Sequence, residues 1–262
     1  MIIDFHTHLY PESVAAKVFP AARKKLKVEV AGTGSPSDLG QRMRSAGVDR
    51  AVVLPLAKGT RDVSSVNRWT LSVLEEGMIP FGAVHPFMED LEEELDRLQA
   101  QGCRGVKMMP LLQEVFPDDP RSARLYEGLI ERKMLLVTHA GKDPLEREEV
   151  YGTPEHFARM VECYPELRVV LAHLGGLRMW DEVQRHLLPA AREVYFDTAY
   201  VSHYLSRGEM IDLIEEIGAD RVLFGTDYPW EDPGTGLQIL RSLELPKIDL
   251  LLYGNAARLL SL

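Results

Sequence analysis

Only two cysteines, Cys103 and Cys163, occur among the 262 residues. Two thiols do not make a disulfide framework. Both are read as small buried or half-buried side chains in a reducing cytoplasm. No run of about 18 apolar residues without charge is present, so no membrane-spanning helix is expected. The opening Met-Ile-Ile-Asp-Phe-His has neither a basic region nor a long apolar stretch. That predicts no secretory leader. Positive charge is in deficit, with 30 Lys and Arg against 40 Asp and Glu and a net charge of −10. Phosphate contacts need a cationic field, so nucleic acid is excluded as the main partner. A local cationic pocket for a small anionic molecule remains compatible with this surface, and a homo-oligomer remains open. No Gly-rich phosphate loop follows the first apolar run, which argues against an open nucleotide-binding sheet.

What is present is a repeat. Eight short apolar runs bounded by turn signals read as buried strands: Ile2–His6, Ala51–Leu54, Ile79–Val84, Arg104–Met109, Met134–Thr138, Arg168–Ala172, Glu193–Asp197 and Arg221–Gly225. After the first gap, successive starts fall roughly 30 residues apart, the length of a strand, a helix and two short loops. Helix signals fill the intervals. Leu91, Leu95 and Leu98 share one face of a segment over Asp90–Gln101 that stops at Gly102. Asp119-Pro120 and Thr153-Pro154 open two more helices. Ser206 with Glu209 forms a capping box, and a last helix runs around Ala256–Leu260. Eight strands, each leading to a helix, predict one (β/α)8 TIM barrel over residues 1–262 with an extended loop after strand 1. That loop, Leu9–Ser37, carries Arg23, Lys24, Lys25 and Lys27. It reads as a solvated excursion with a short helix, or as a lid over the barrel mouth.

Five of the eight histidines fall at expected strand ends: His6 and His8, His85, His139 and His173. Strand ends cover roughly a tenth of such a fold, so chance would place about one there. Asp227 follows the eighth strand. Residues i and i+2 of a strand share a face, so His6 and His8 can point together. Barrel active sites are built at that end of the strands. Imidazoles with a carboxylate predict one divalent metal ion, zinc first, with manganese, iron, cobalt or nickel as alternatives.

These residues sit in a longer ordered set: Asp4-Phe5-His6-Thr7-His8, Gly105-Val106-Lys107, Thr138-His139-Ala140-Gly141, Ala172-His173-Leu174-Gly175-Gly176, Gly225-Thr226-Asp227-Tyr228-Pro229 and Gly254-Asn255-Ala256-Ala257-Arg258-Leu259-Leu260. The set resembles the amidohydrolase superfamily, in the branch that contains aminocarboxymuconate-semialdehyde decarboxylase. The resemblance implies that His6, His8 and His139 are metal ligands and that Asp227 binds the metal or orients its water. It implies that His173 is the acid/base or hydrogen-bonding group beside that water. The activity expected is hydrolysis of a small, carboxylated substrate by metal-activated water. Non-oxidative decarboxylation of an unsaturated or aromatic acid is the alternative, and a non-catalytic metal-binding barrel ranks third.

Several residues carry two or more readings. Lys107 is a carboxylated lysine bridging two metals, a substrate contact or a structural ion pair. His85 is a substrate or supporting residue, or belongs to the turn before Pro86. Lys58, Arg61 and Arg178 hold a carboxylate or are solvated charges. Trp230 walls a pocket or packs the last loop, and Trp180 lies near Arg178. His156 and His186 read as solvated helix residues, and His203 is left open in the loop after strand 7.

Overall fold

Every expected apolar run contains a strand, because strands of a parallel sheet are buried on both faces and read as continuous apolar segments. The computed structural model describes residues 1–144, 148–190 and 193–262, with residues 25 and 26 described by backbone alone. The strands are β1 Ile3–Thr7, β2 Arg50–Val53, β3 Met78–Pro80, β4 Gly82–Ala83, β5 Gly105–Met108, β6 Leu135–Thr138, β7 Val169–Leu171, β8 Val194–Asp197 and β9 Val222–Leu223. The third expected strand is thus two. Pro80 has no N–H for a ladder, and Gly82 adds no side chain to hold a strand. Gly82 is required there, since a Cβ would lie 2.3 Å from the Leu98 side chain of the following helix.

Contacts group the chain into two compact units. The first comprises Met1–Val53, Val73–Ile79 and Asp197–Leu262. Here β1 pairs in parallel with β2, with Ile3 opposite Arg50 and Asp4 opposite Ala51. On its other side β1 meets the chain around β9: Phe5 N–H donates to Phe224 O at 2.7 Å and His8 N–H to Tyr228 O at 2.7 Å. The second unit comprises Leu54–Ser72 and Pro80–Phe196. It holds a parallel run β4-β5-β6-β7-β8. Its register is regular: Ala83 lies opposite Lys107, Lys107 opposite Val137, and Val137 opposite Val170.

The expected helices form, with the expected caps. Thr153 Oγ1 accepts from His156 N–H at the start of Pro154–Cys163. The Ser206–Glu209 capping box opens Arg207–Ile217. The short helix expected in the segment after β1 is 15 residues long, Glu12–Leu26. Pro20 lies inside it and cannot donate to the Ala16 carbonyl, which hides the helix's full length from a reading by breakers. Ala15, Phe19 and Ala22 nevertheless form a buried stripe at helical spacing. Arg23, Lys24 and Lys27 are exposed, and the side chain of Lys25 lies outside the described residues.

One cysteine expectation is corrected. Cys103 is buried, but Cys163 is exposed. At 100° per residue, Cys163 stands roughly 115° from the centre of the face on which Phe157, Met160 and Val161 are buried. Among the described residues no helix is long and apolar enough to cross a membrane.

Candidate metal centre and active site

In the first unit, β1 delivers His6 and His8 on one face, and the turn after β9 brings Asp227 to them. Gly225 permits the approach, since a Cβ there would lie 2.9 Å from His6 Cβ. Asp227 adopts a left-handed φ of 69°, which aspartate tolerates better than most residues, and its N–H donates to His6 O at 2.8 Å. His6 Nε2 and His8 Nε2 lie 3.1 Å apart. Asp227 Oδ1 is 3.1 Å from His8 Nε2 and 3.6 Å from His6 Nε2. These ligand atoms are all within 4.8 Å of one another. Lone pairs that close repel unless a proton or cation lies among them, so the donor set fits a divalent cation.

Two carboxylates behind this cluster escaped the sequence reading. Asp197, at the end of β8, is fully buried, and its Oδ2 lies 2.8 Å from His6 Nδ1. That contact fixes the ring so that Nε2 faces His8 and Asp227, as metal-binding histidines require. Asp4 is also fully buried. It accepts from the N–H groups of His6 and Thr226, each at 3.1 Å, and from Thr226 Oγ1 at 2.5 Å. Burial pushes its carboxyl up to about 7 against the pull of those donors. Asp197 carried a signal, a carboxylate at a strand end like Asp227. Asp4 carried none beyond its place beside His6.

Around Asp227 the site is aromatic. Trp230 lies 5.7 Å from Phe19 and 6.4 Å from Tyr10 between ring centroids, and Tyr10 lies 6.5 Å from His8. The helix Glu12–Leu26 therefore packs through Phe19 on Tyr10 and Trp230. His203, in the loop after β8, stacks on Tyr200 at 4.0 Å and places Nε2 3.0 Å from Glu231 Oε2.

The second unit carries the remaining expected site residues. His139 follows β6 and His173 follows β7, with His173 Nε2 and His139 Nδ1 3.0 Å apart. His173 has a left-handed φ of 60° and Leu174 one of 51°, an unusual backbone of the kind that gathers at functional sites. Trp180 Nε1–H donates to His173 O at 3.0 Å, so Trp180 supports this turn. Lys107 is buried within β5, and His85 is buried just past β4. Lys58, Arg61 and Arg178 are exposed. His156, read as solvated, instead places Nδ1 2.6 Å from Asp118 Oδ1 and is only partly exposed.

The model of the amidohydrolase family (Amidohydro_2) matches residues 3–262. The chain belongs to that family. A γ-resorcylate decarboxylase of Polaromonas sp. (strain JS666 / ATCC BAA-500) is 33% identical over 120 residues, which is 39% of this chain and 37% of that protein. The chain thus spans well under two thirds of the curated relatives it matches. The solved 2,6-dihydroxybenzoate decarboxylase from Rhizobium superposes with a TM-score of 0.72 at 17% identity, covering 99% of this chain and 98% of that one. The 5-carboxyvanillate decarboxylase of Novosphingobium aromaticivorans, complexed with manganese and 4-hydroxy-3-methoxy-5-nitrobenzoic acid, superposes with a TM-score of 0.73 at 15% identity, covering 100% and 96%. At such identities the likeness carries the fold, and this amidohydrolase has the (β/α)8 barrel.

Proposed function

We propose that this amidohydrolase is a non-oxidative decarboxylase of an aromatic carboxylic acid, dependent on a divalent cation. The observation that carries the proposal is the cluster of buried His6 and His8 with half-buried Asp227, backed by Asp197, in a chain whose similar proteins include decarboxylases of hydroxylated benzoates. Hydrolysis, ranked first from the sequence, now ranks second. Manganese, an alternative from the sequence, moves up beside zinc, because a similar protein was solved with manganese. The resemblance adds His139 as a further ligand. When bound, the cation supplies positive charge that polarises a substrate oxygen.

The chain's own groups do the rest. Net reaction requires one proton delivered to the ring carbon that bears the carboxylate. The bond from that carbon to the carboxylate then breaks, carbon dioxide leaves, and the electron pair returns to the ring. His173 is the group assigned to move the proton, and its Nε2 shares a hydrogen bond with His139 Nδ1. Asp227 would bind the cation and orient the reacting group. Arg61 and Arg178 are assigned to draw in the carboxylate, and Trp230 and Lys107 to contact the substrate. Two cysteines without a disulfide are consistent with a cytoplasmic location.

The test is a panel of hydroxybenzoates, unsaturated acids, esters, lactones and amides, read for carbon dioxide beside net acid release. Carbon dioxide from hydroxybenzoates supports the proposal. Acid release from esters or lactones without carbon dioxide overturns it in favour of hydrolysis. Activity on neutral substrates alone, unchanged in Arg61→Ala and Arg178→Ala, removes the carboxylate anchor.

A further inference from the structure

The backbone around His85 is held with unusual thoroughness for a loop. Asn67 pairs with the buried backbone of β4 like an added strand: its Nδ2 donates to Ala83 O at 2.9 Å and its Oδ1 accepts from Ala83 N–H at 2.6 Å. Gln113 Nε2 donates to Val84 O at 2.6 Å. These bonds run up to the residue before His85. A side chain placed this firmly is suited to positioning a ligand.

The register gives the face. Ala83, Lys107 and Val137 lie opposite one another, so their side chains share one side of the sheet. Two residues further along each strand direction stand His85, Met109 and His139. Strand alternation carried two residues on points His85 to the same side as His139, two strands away. Met108 lies opposite Thr138 and accepts from His139 N–H at 3.3 Å, which keeps that layer aligned past the strand ends.

The hydrogen bond gives the tautomer. Phe87 N–H donates to His85 Nδ1 at 3.2 Å. A nitrogen that accepts from an amide carries no proton, so in the neutral ring the proton sits on Nε2. Phe87 is itself fixed, with the Arg121 guanidinium 4.2 Å from its ring centroid and the His85 ring edge-on at 5.6 Å. Burial also holds the His85 imidazolium below its usual range, which keeps the ring neutral. A neutral ring with Nδ1 occupied has one group left to offer a ligand, the Nε2–H donor.

We infer that His85 is a substrate-orienting residue that donates its Nε2–H to an oxygen substituent beside the carboxylate of an aromatic acid. The inference rests on the aromatic-acid reading above. It assigns selection of the ring oxygen to one residue and one atom. A ligand lacking that oxygen would leave the donor without its partner in a buried place, which weakens binding.

The experiment measures binding, not turnover. Protein saturated with Mn2+ is titrated with 2-hydroxybenzoate and with benzoate, for wild type, His85→Phe and His85→Gln. Wild type should bind 2-hydroxybenzoate about fivefold or more tightly than benzoate. His85→Phe should lose that preference while binding benzoate as before, and His85→Gln, whose amide can donate, should recover part of it. A wild-type preference that survives in His85→Phe overturns the inference and leaves the aromatic-acid reading standing. The absence of any preference in wild type also overturns it. Binding of neither acid by wild type overturns the aromatic-acid reading and the inference with it. If His85→Phe fails to fold, His85→Gln and nitrogen NMR of labelled wild type decide: a proton on Nδ1 rather than Nε2 overturns the inference.

Discussion

At the scale of the residue, the decisive groups are carboxylates that orient other groups. Asp197 makes no contact that composition or spacing could show, yet it fixes the His6 ring. Supporting partners of this kind are worth about 10–100-fold in metal affinity. Asp197→Asn should therefore weaken Mn2+ or Zn2+ binding by about that factor in a chelator competition. Unchanged affinity would show that His6 is not held as a ligand through Asp197. His139 and His173 of the second unit should separate. His173→Ala should keep its metal and lose about 10²–10⁴-fold in turnover, the range for a general acid. His139→Ala should lose both. Equal metal loss in the two variants would refute that division. The thiols give a check independent of activity. Cys103 is buried and its thiol is pushed up to about 12 by burial, with Arg97 pulling down and Glu94 pushing up. One thiol, Cys163, should react rapidly with a thiol reagent near neutral pH, and the second only on unfolding. Two rapid reactions would contradict the burial of Cys103.

At the scale of the element, the strands were legible and their details were not. Runs such as Leu135–Thr138 declare themselves because both faces are buried. The break at Phe81 depends on which neighbours Pro80 and Gly82 can still pair with, which no local pattern states. The full length of Glu12–Leu26 was hidden by Pro20 and by a basic C-terminal end, although Ala15, Phe19 and Ala22 carried its stripe. The His and Asp constellation was legible because ligand-type residues recur at strand ends. The left-handed backbone at His173 and Asp227 was not, since it follows from tertiary pairing. Phe19 is the contact that ties Glu12–Leu26 to Tyr10 and Trp230. Phe19→Ala should speed amide exchange across residues 12–26 by about 10–100-fold while β1 stays protected. Uniform acceleration would show that this helix is not a separate opening unit.

The next helix, Pro36–Ala46, is tied down by charge. Asp38 Oδ2 accepts from Tyr228 Oη–H at 2.7 Å and from Thr33 N–H at 2.8 Å, and Arg42 Nε lies 3.1 Å away. Burial alone would raise this carboxyl, but the three donors together hold it below the ordinary carboxylate range. A carboxyl held low in the folded protein stabilises it above the unfolded value near 4, and that contribution is lost as pH falls through the folded value. Asp38→Asn should therefore be less stable than wild type at pH 7, with the difference shrinking on acidification below about 4. A difference independent of pH would assign Asp38 a packing role only.

At the scale of the whole molecule, the barrel and the His-His-Asp cluster carry the proposed chemistry, while the net charge of −10 restricts a small anion to a local cationic site. Sequence order exposed the family, but the choice between hydrolysis and decarboxylation was not legible, because both use the same strand-end groups. Decarboxylation is the reaction proposed above, and the two differ in what they consume. Hydrolysis adds the elements of water across a bond. Decarboxylation replaces a carboxylate with one solvent proton at a single carbon. Mn2+-saturated protein incubated with 2,6-dihydroxybenzoate in D2O distinguishes them in one measurement. Decarboxylation yields resorcinol with one deuterium at the vacated carbon, formed with one carbon dioxide, and neither product is expected from His6→Ala. Unchanged 2,6-dihydroxybenzoate, with esters or lactones consumed by the same protein, would contradict it.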